Sequence, residues 1–217
     1  MKQKIFNLIV LDASGSMYRI KNEAISGVIE TIQTIRTAQE ENANQEQFLS
    51  LVVFNGKDIK TVYDRMPITR VTDFTEKDYL PTDNTPLYDA MGDAITNLQR
   101  YISEEDNVLV TVITDGYENA SREWNHQQVL QLVEDLKKKN WLFTYIGANQ
   151  DALAVAKGMG INNSMNFCSD AEGTREMFRK ERASRKTLFE KLTAGKSFYE
   201  AKSERYFVDD DPNNGNA

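Results

Sequence analysis

Three short stretches carry residue types whose spacing suits chemistry: Asp12-Ala13-Ser14-Gly15-Ser16, Thr85 directly before Pro86, and Thr114-Asp115-Gly116. The first and third each close a strongly apolar run, residues 5–11 and 108–113. Asp12, Ser14 and Ser16 alternate, so an extended backbone would aim all three oxygens at one point, and Gly15 between the serines would let another backbone approach closely. If the two apolar runs are neighbouring central strands, Asp115 faces Asp12 across the crevice at their carboxyl ends, and Thr85 adds a hydroxyl from a third segment. Carboxylate and hydroxyl oxygens without imidazole or thiolate are hard ligands, suited to Mg²⁺ or Mn²⁺ rather than Zn²⁺ or Cu²⁺. Neutral hydroxyls in such a shell leave the ion with residual positive charge, which can draw an acidic group of a partner into an open octahedral position. No general base or nucleophile pair accompanies the constellation, so the expectation is binding and not catalysis.

The elements that must position these residues follow from periodicity. Residues 4–11 form a nearly continuous apolar run, interrupted by Asn7, as a strand buried on both faces of a parallel sheet requires. Ile25, Val28, Ile29, Ile32 and Ile35 then recur at helical spacing, predicting an amphipathic helix to about residue 38. A second strand is predicted over 48–54. The Asn55-Gly56 turn leads straight into 59–63, too short a connection for a parallel crossover, so these two strands should form an antiparallel hairpin. Residues 64–84 show no period and predict a long ordered loop, of the kind that is usually functional. Helices are expected at 87–98, 129–136 and 152–156, and strands at 108–113, 142–146 and 163–168. The fold class is therefore α/β, a doubly wound, Rossmann-like and mostly parallel sheet with helices on both faces. Beyond residue 170 a charged stretch with Met177, Phe178, Leu188, Phe189 and Leu192 at helical intervals predicts a helix that packs back on the sheet.

Composition excludes several function classes. A net charge of −7 repels phosphate backbones and anionic lipid, which disfavours nucleic-acid and membrane-surface binding. With 40% hydrophobic and 27% charged residues the chain reads as an ordinary soluble globular protein, and no apolar stretch approaches the roughly 20 residues of a membrane span. The opening Met-Lys-Gln-Lys and its short apolar run do not read as a signal peptide, so a cytoplasmic location is expected. Cys168, the single cysteine, cannot make an internal disulfide and reads as a small buried hydrophobe. His126 reads as a surface residue at a helix start, Gly158-Met-Gly160 as a helix stop, and the charged stretch 179–191 as a solvated helix face. Tyr88, Tyr117 and Trp124 read equally as packing or as a rim that selects ligands.

Asp12-Ala-Ser14-Gly-Ser16 after an apolar strand, Thr85 in Asn-Thr-Pro-Leu-Tyr-Asp-Ala, and Thr114-Asp115-Gly116 together resemble the metal-ion-dependent adhesion site of von Willebrand factor type A domains, most closely the intracellular bacterial kind. The resemblance covers roughly residues 4–168. It implies that Ser14, Ser16 and Thr85 coordinate Mg²⁺ (or Mn²⁺) directly, while Asp12 and Asp115 act mainly through water or hydrogen bonds. It implies also a sheet with one antiparallel edge strand, and a partner protein that offers a Glu or Asp to the metal. The expected organisation is a domain over 1–170, a helical extension over 171–208 and a disordered tail over 209–217. The alternative class is a Mg²⁺-dependent phosphotransferase resembling the haloacid dehalogenase type, in which an aspartate ending the first strand attacks phosphate. That pattern wants a second aspartate where Ser14 stands, and a lysine and late acidic pair that have no identified counterpart.

Overall fold

Continuous apolar runs become the centre of the sheet. In the computed structural model, which describes residues 2–148 and 151–207, β1 (Gln3–Asp12) and β4 (Asn107–Thr114) lie side by side, and almost every residue in them is buried. The other strands are β2 (Gln45–Phe54), β3 (Ile59–Pro67), β5 (Trp141–Ala148) and β6 (Asn163–Phe167), in the order β3-β2-β1-β4-β5-β6. All neighbours pair in parallel except β2 and β3, the hairpin that Asn55-Gly56 predicts. Strand order reverses between β2 and β4, on either side of β1, which opens the crevice at the carboxyl ends of β1 and β4.

The two faces of β1 have separate cores. Ile5, Ile9 and Leu11 pack with α1 (Lys21–Glu41) and α5 (Ala171–Thr193), whereas Leu8 and Val10 pack with α2 (Leu87–Gln99) and α3 (His126–Lys137). The short helices are α4 (Ala152–Gly158) and α6 (Phe198–Ser203). No helix among the described residues is long and apolar enough to cross a membrane. Gly27 on α1 makes room for α5, since a Cβ there would stand 2.1 Å from the Phe178 ring.

Three expectations are corrected. The charged stretch 179–191 is not wholly solvated: Glu181 and Arg185 turn inward and are fully buried. Arg185 donates to Glu181 Oε1 at 2.9 and 2.7 Å, to Asn7 Oδ1 at 2.7 Å and to Thr111 Oγ1 at 2.9 Å. The polar side chains of β1 and β4 thus supply the partners that a buried guanidinium needs. Cys168 is exposed, because β6 is an edge strand that ends one residue earlier. The strand boundaries also move outward, β2 starting at Gln45 and β3 running to Pro67. The tail 209–217 lies outside the described residues.

Candidate metal centre

Pairing of Leu11 with Ile113 sets the ends of β1 and β4, Asp12 and Thr114, level, and Asp115 follows one residue beyond. Both aspartates are buried. Asp12 is fixed through each oxygen: Oδ1 accepts the Ser14 N–H at 2.6 Å, and Oδ2 accepts the Thr114 hydroxyl at 2.6 Å. Asp115 accepts from the Ser16 hydroxyl through Oδ1 and from the Ser169 hydroxyl through Oδ2, the latter at 2.9 Å. The Ser14 and Ser16 hydroxyls stand 3.2 Å apart. Extended backbone does not carry this alternation beyond Ser14. A 3-10 turn, Gly15–Ile20, begins there and curls Ser16 back beside Ser14.

Thr85 arrives from the long loop that follows β3, and three hydrogen bonds fasten that loop to the end of β1. The Tyr79 hydroxyl donates to the Asp12 carbonyl at 2.7 Å, Thr82 N–H to the Ala13 carbonyl at 2.8 Å, and Gly15 N–H to the Asp83 carbonyl at 2.9 Å. On the other side Asn119 Oδ1 accepts the Thr85 N–H at 2.9 Å. The loop bearing Asn119 is itself tied to the start of α2. Glu118 accepts the Tyr88 N–H at 2.9 Å, and Asp89 accepts the N–H groups of Arg122, Glu123 and Trp124 at 2.7–3.0 Å.

These contacts gather all five sequence-predicted residues, and Gly116 marks where they converge. A Cβ at Gly116 would lie 3.1 Å from Thr85 Oγ1, 3.8 Å from Ser16 Oγ and 3.9 Å from Asp12 Oδ2. Glycine leaves open a small space walled by oxygens from three segments. Burial pushes the Asp12 carboxyl up to about 6, against the hydrogen bonds from Thr114 and Ser14 that lower it and with a further rise from the Asp115 charge. Burial also raises the Tyr79 phenol well above its ordinary value, helped by the charges of Asp12 and Asp115.

Two buried carboxylates and three hydroxyls, with no positive side chain among their hydrogen-bond partners in the described residues, fit a hard divalent cation. Among the described residues no three of His, Cys, Asp or Glu gather into a metal-binding group, so an ion here would depend on the hydroxyls. His126 is exposed at the start of α3, where its ring meets Tyr88 edge-on.

Sequence reasoning gave no role to the residues that orient the five candidates: Tyr79, Thr114, Asn119 and Ser169. Thr114 precedes Asp115 and was within reach as a strand-end hydroxyl. The other three are brought in by loop paths with no local periodicity. Of the aromatic candidates, Tyr117 is exposed and Trp124 packs over Gly92 of α2 while donating to Asp93 at 3.0 Å.

No protein-family model matches the chain, and no curated protein sequence does so. Solved structures do resemble it. A von Willebrand factor type A protein from Catenulispora acidiphila superposes with a TM-score of 0.56 at 14% identity, over 84% of this chain and 42% of that one. The SpRpn10 VWA domain gives 0.52 at 12% identity, over 85% of this chain and 95% of that one. The pilus adhesin SpaC from Lactobacillus rhamnosus GG, in its open conformation, gives 0.64 at 10% identity, over 87% and 30%. The chain thus spans nearly all of one relative and less than half of the other two. At these identities the likeness is one of fold: the architecture is that of von Willebrand factor type A domains.

Proposed function

We propose that this von Willebrand factor type A fold serves as a divalent-cation-dependent protein-binding module, with Mg²⁺ or Mn²⁺ at the carboxyl end of the sheet and an acidic residue of another protein as the group it captures. The convergence of Thr85 Oγ1, Ser16 Oγ and Asp12 Oδ2 around Gly116 carries this reading. Ser14, Ser16 and Thr85 would hold the ion directly, and Asp12 and Asp115 would act through water or hydrogen bonds. A bound ion would supply a positive centre that attracts that acidic group. The chain's own residues provide the rest: Thr114 and the Ser14 N–H orient Asp12, Ser169 orients Asp115, and Asn119 orients Thr85. A role as phosphotransferase gains no support from this geometry, since both Asp12 oxygens already accept hydrogen bonds and Ser14 stands where an acid would be wanted.

The test is thermal unfolding of chelator-treated protein titrated with Mg²⁺ and Mn²⁺, because an ion bound only by the folded state raises stability by mass action. A saturable rise in Tm, lost in Asp12→Ala and Thr85→Ala, supports the reading. The absence of any shift with either ion overturns it.

A further inference from the structure

Large apolar side chains left in solvent are not scattered evenly over this protein. Among the described residues Tyr18, Leu80, Tyr117 and Leu153 are 70%, 62%, 58% and 60% exposed; Tyr18, Tyr117 and Leu153 follow the carboxyl ends of β1, β4 and β5, and Leu80 stands on the loop that returns from β3 to the end of β1. Tyr18 is two residues beyond Ser16, in the 3-10 turn. Leu80 sits between Tyr79 and Thr82, the two residues that hydrogen-bond the Asp12 and Ala13 carbonyls. Tyr117 is two residues beyond Asp115, and Leu153 opens α4 above β5, the strand next to β4. The other large exposed hydrophobics, Ile29, Tyr101 and Tyr199, lie separately on α1, after α2 and on α6.

The backbone beneath Leu80 and beyond Tyr117 is held firmly. Hydrogen bonds to β1 fix the loop on both sides of Leu80, and bonds to α2 fix the loop that follows Tyr117. Apolar groups held in water beside a polar centre suit an interaction surface, because a preorganised apolar patch rimming polar groups is what a protein interface needs.

Charge narrows the partner. The chain carries −7 overall, so a densely acidic partner is repelled at long range, and attraction for a carboxylate is confined to the immediate neighbourhood of a bound cation. A partner suited to this face presents one carboxylate at the centre and hides few charges beside it. We infer that Tyr18, Leu80, Tyr117 and Leu153 form an apolar collar around the metal centre, and that the partner is a protein segment whose single Glu or Asp is flanked by large aliphatic or aromatic residues. This inference rests on the cation-dependent binding proposed above, which it extends from the captured group to its surroundings.

The experiment displays a random peptide library with a fixed central Glu on the full chain in Mg²⁺, beside a library with central Gln and selections in chelator. Enrichment of central-Glu peptides with Leu, Ile, Phe, Tyr or Trp on the flanks is expected. Tyr18→Ser, Leu80→Ser, Tyr117→Ser and Leu153→Ser combined should weaken the selected peptides by about tenfold or more, as loss of buried anchors does. Mn²⁺ affinity, read by electron paramagnetic resonance without any peptide, should be unchanged in that variant. Enrichment that depends on Mg²⁺ and Glu but favours polar flanks, or survives the four substitutions, overturns the collar and leaves the metal-centre reading intact. Enrichment indifferent to Mg²⁺ and to Glu against Gln overturns both.

Discussion

Asn119 holds Thr85 by both sides of its backbone: its side-chain Oδ1 accepts the Thr85 N–H at 2.9 Å, and its own N–H donates to the Thr85 carbonyl at 3.2 Å. A residue on the loop after β4 thereby sets the position of a hydroxyl 34 residues earlier in the chain. Asn119→Ala should cost only about 1 kcal/mol of stability, yet weaken Mn²⁺ binding by about tenfold or more, since residues that orient ligands are worth that much to affinity. A Mn²⁺ titration beside urea unfolding separates the two effects; equal Mn²⁺ affinity in the variant would remove the positioning role.

Gly116→Ala places a methyl group in the space around which Thr85, Ser16 and Asp12 converge. Its backbone is not in the left-handed region, so the substitution brings crowding without torsional strain. Native circular dichroism with Mn²⁺ affinity lowered by about tenfold or more is expected, as for other disturbed ligand shells. Wild-type affinity in Gly116→Ala would mean that the ion sits elsewhere.

Asp12 titrates at about 6 in the folded, cation-free protein, above its ordinary 3.8. The folded state therefore binds this proton more tightly than the unfolded chain does. The resulting stability is fully present below pH 3.8 and is lost as the pH rises through about 6, a loss of about 3 kcal/mol at neutral pH. Asp12→Asn should accordingly raise the Tm of chelated protein at pH 7.5. Protons compete with the cation, so the Tm gain from Mg²⁺ should shrink between pH 7.5 and pH 5. A gain independent of pH would count against Asp12 as part of the site.

Arg185 and Glu181 form a fully buried ion pair in which Glu181 Oε2 has no hydrogen-bond partner among the described residues, while Oε1 also accepts from the Tyr206 hydroxyl at 3.2 Å. Arg185→Ala should lower unfolding free energy by about 3–5 kcal/mol, because the carboxylate is left buried and uncompensated. Adding Glu181→Leu to Arg185→Met should recover most of that loss. Urea unfolding of the single and double variants measures the difference; equal losses in both would place the cost in packing instead of charge.

Much of the architecture was readable because its strands are buried on both faces and so appear as unbroken apolar runs. The hairpin was readable from Asn55-Gly56, a turn too short for any other connection. The five candidate residues could be singled out because each lies at or beside a strand or helix end, where local sequence and position in the fold coincide. Tyr79, Asn119 and Ser169 were not readable, since the paths of their loops depend on hydrogen bonds to strands far away in sequence. Glu181 and Arg185 escaped for a different reason. Their helix shows an ordinary charged pattern, and the sign of their burial is in β1 and β4, where Asn7 and Thr111 interrupt apolar strands and require partners there.

The centre joins residues remote along the chain, with Ser16 and Asp115 separated by 99 positions and Asp115 and Ser169 by 54. Contacts of that span form late, after loop closure across the sheet has been achieved by other means. An ion at this place cannot nucleate the protein as zinc nucleates a small finger, because its ligands do not meet until the strands have already paired. A bound ion would act on the native lifetime, slowing escape from the folded state while leaving the rate of reaching it nearly untouched.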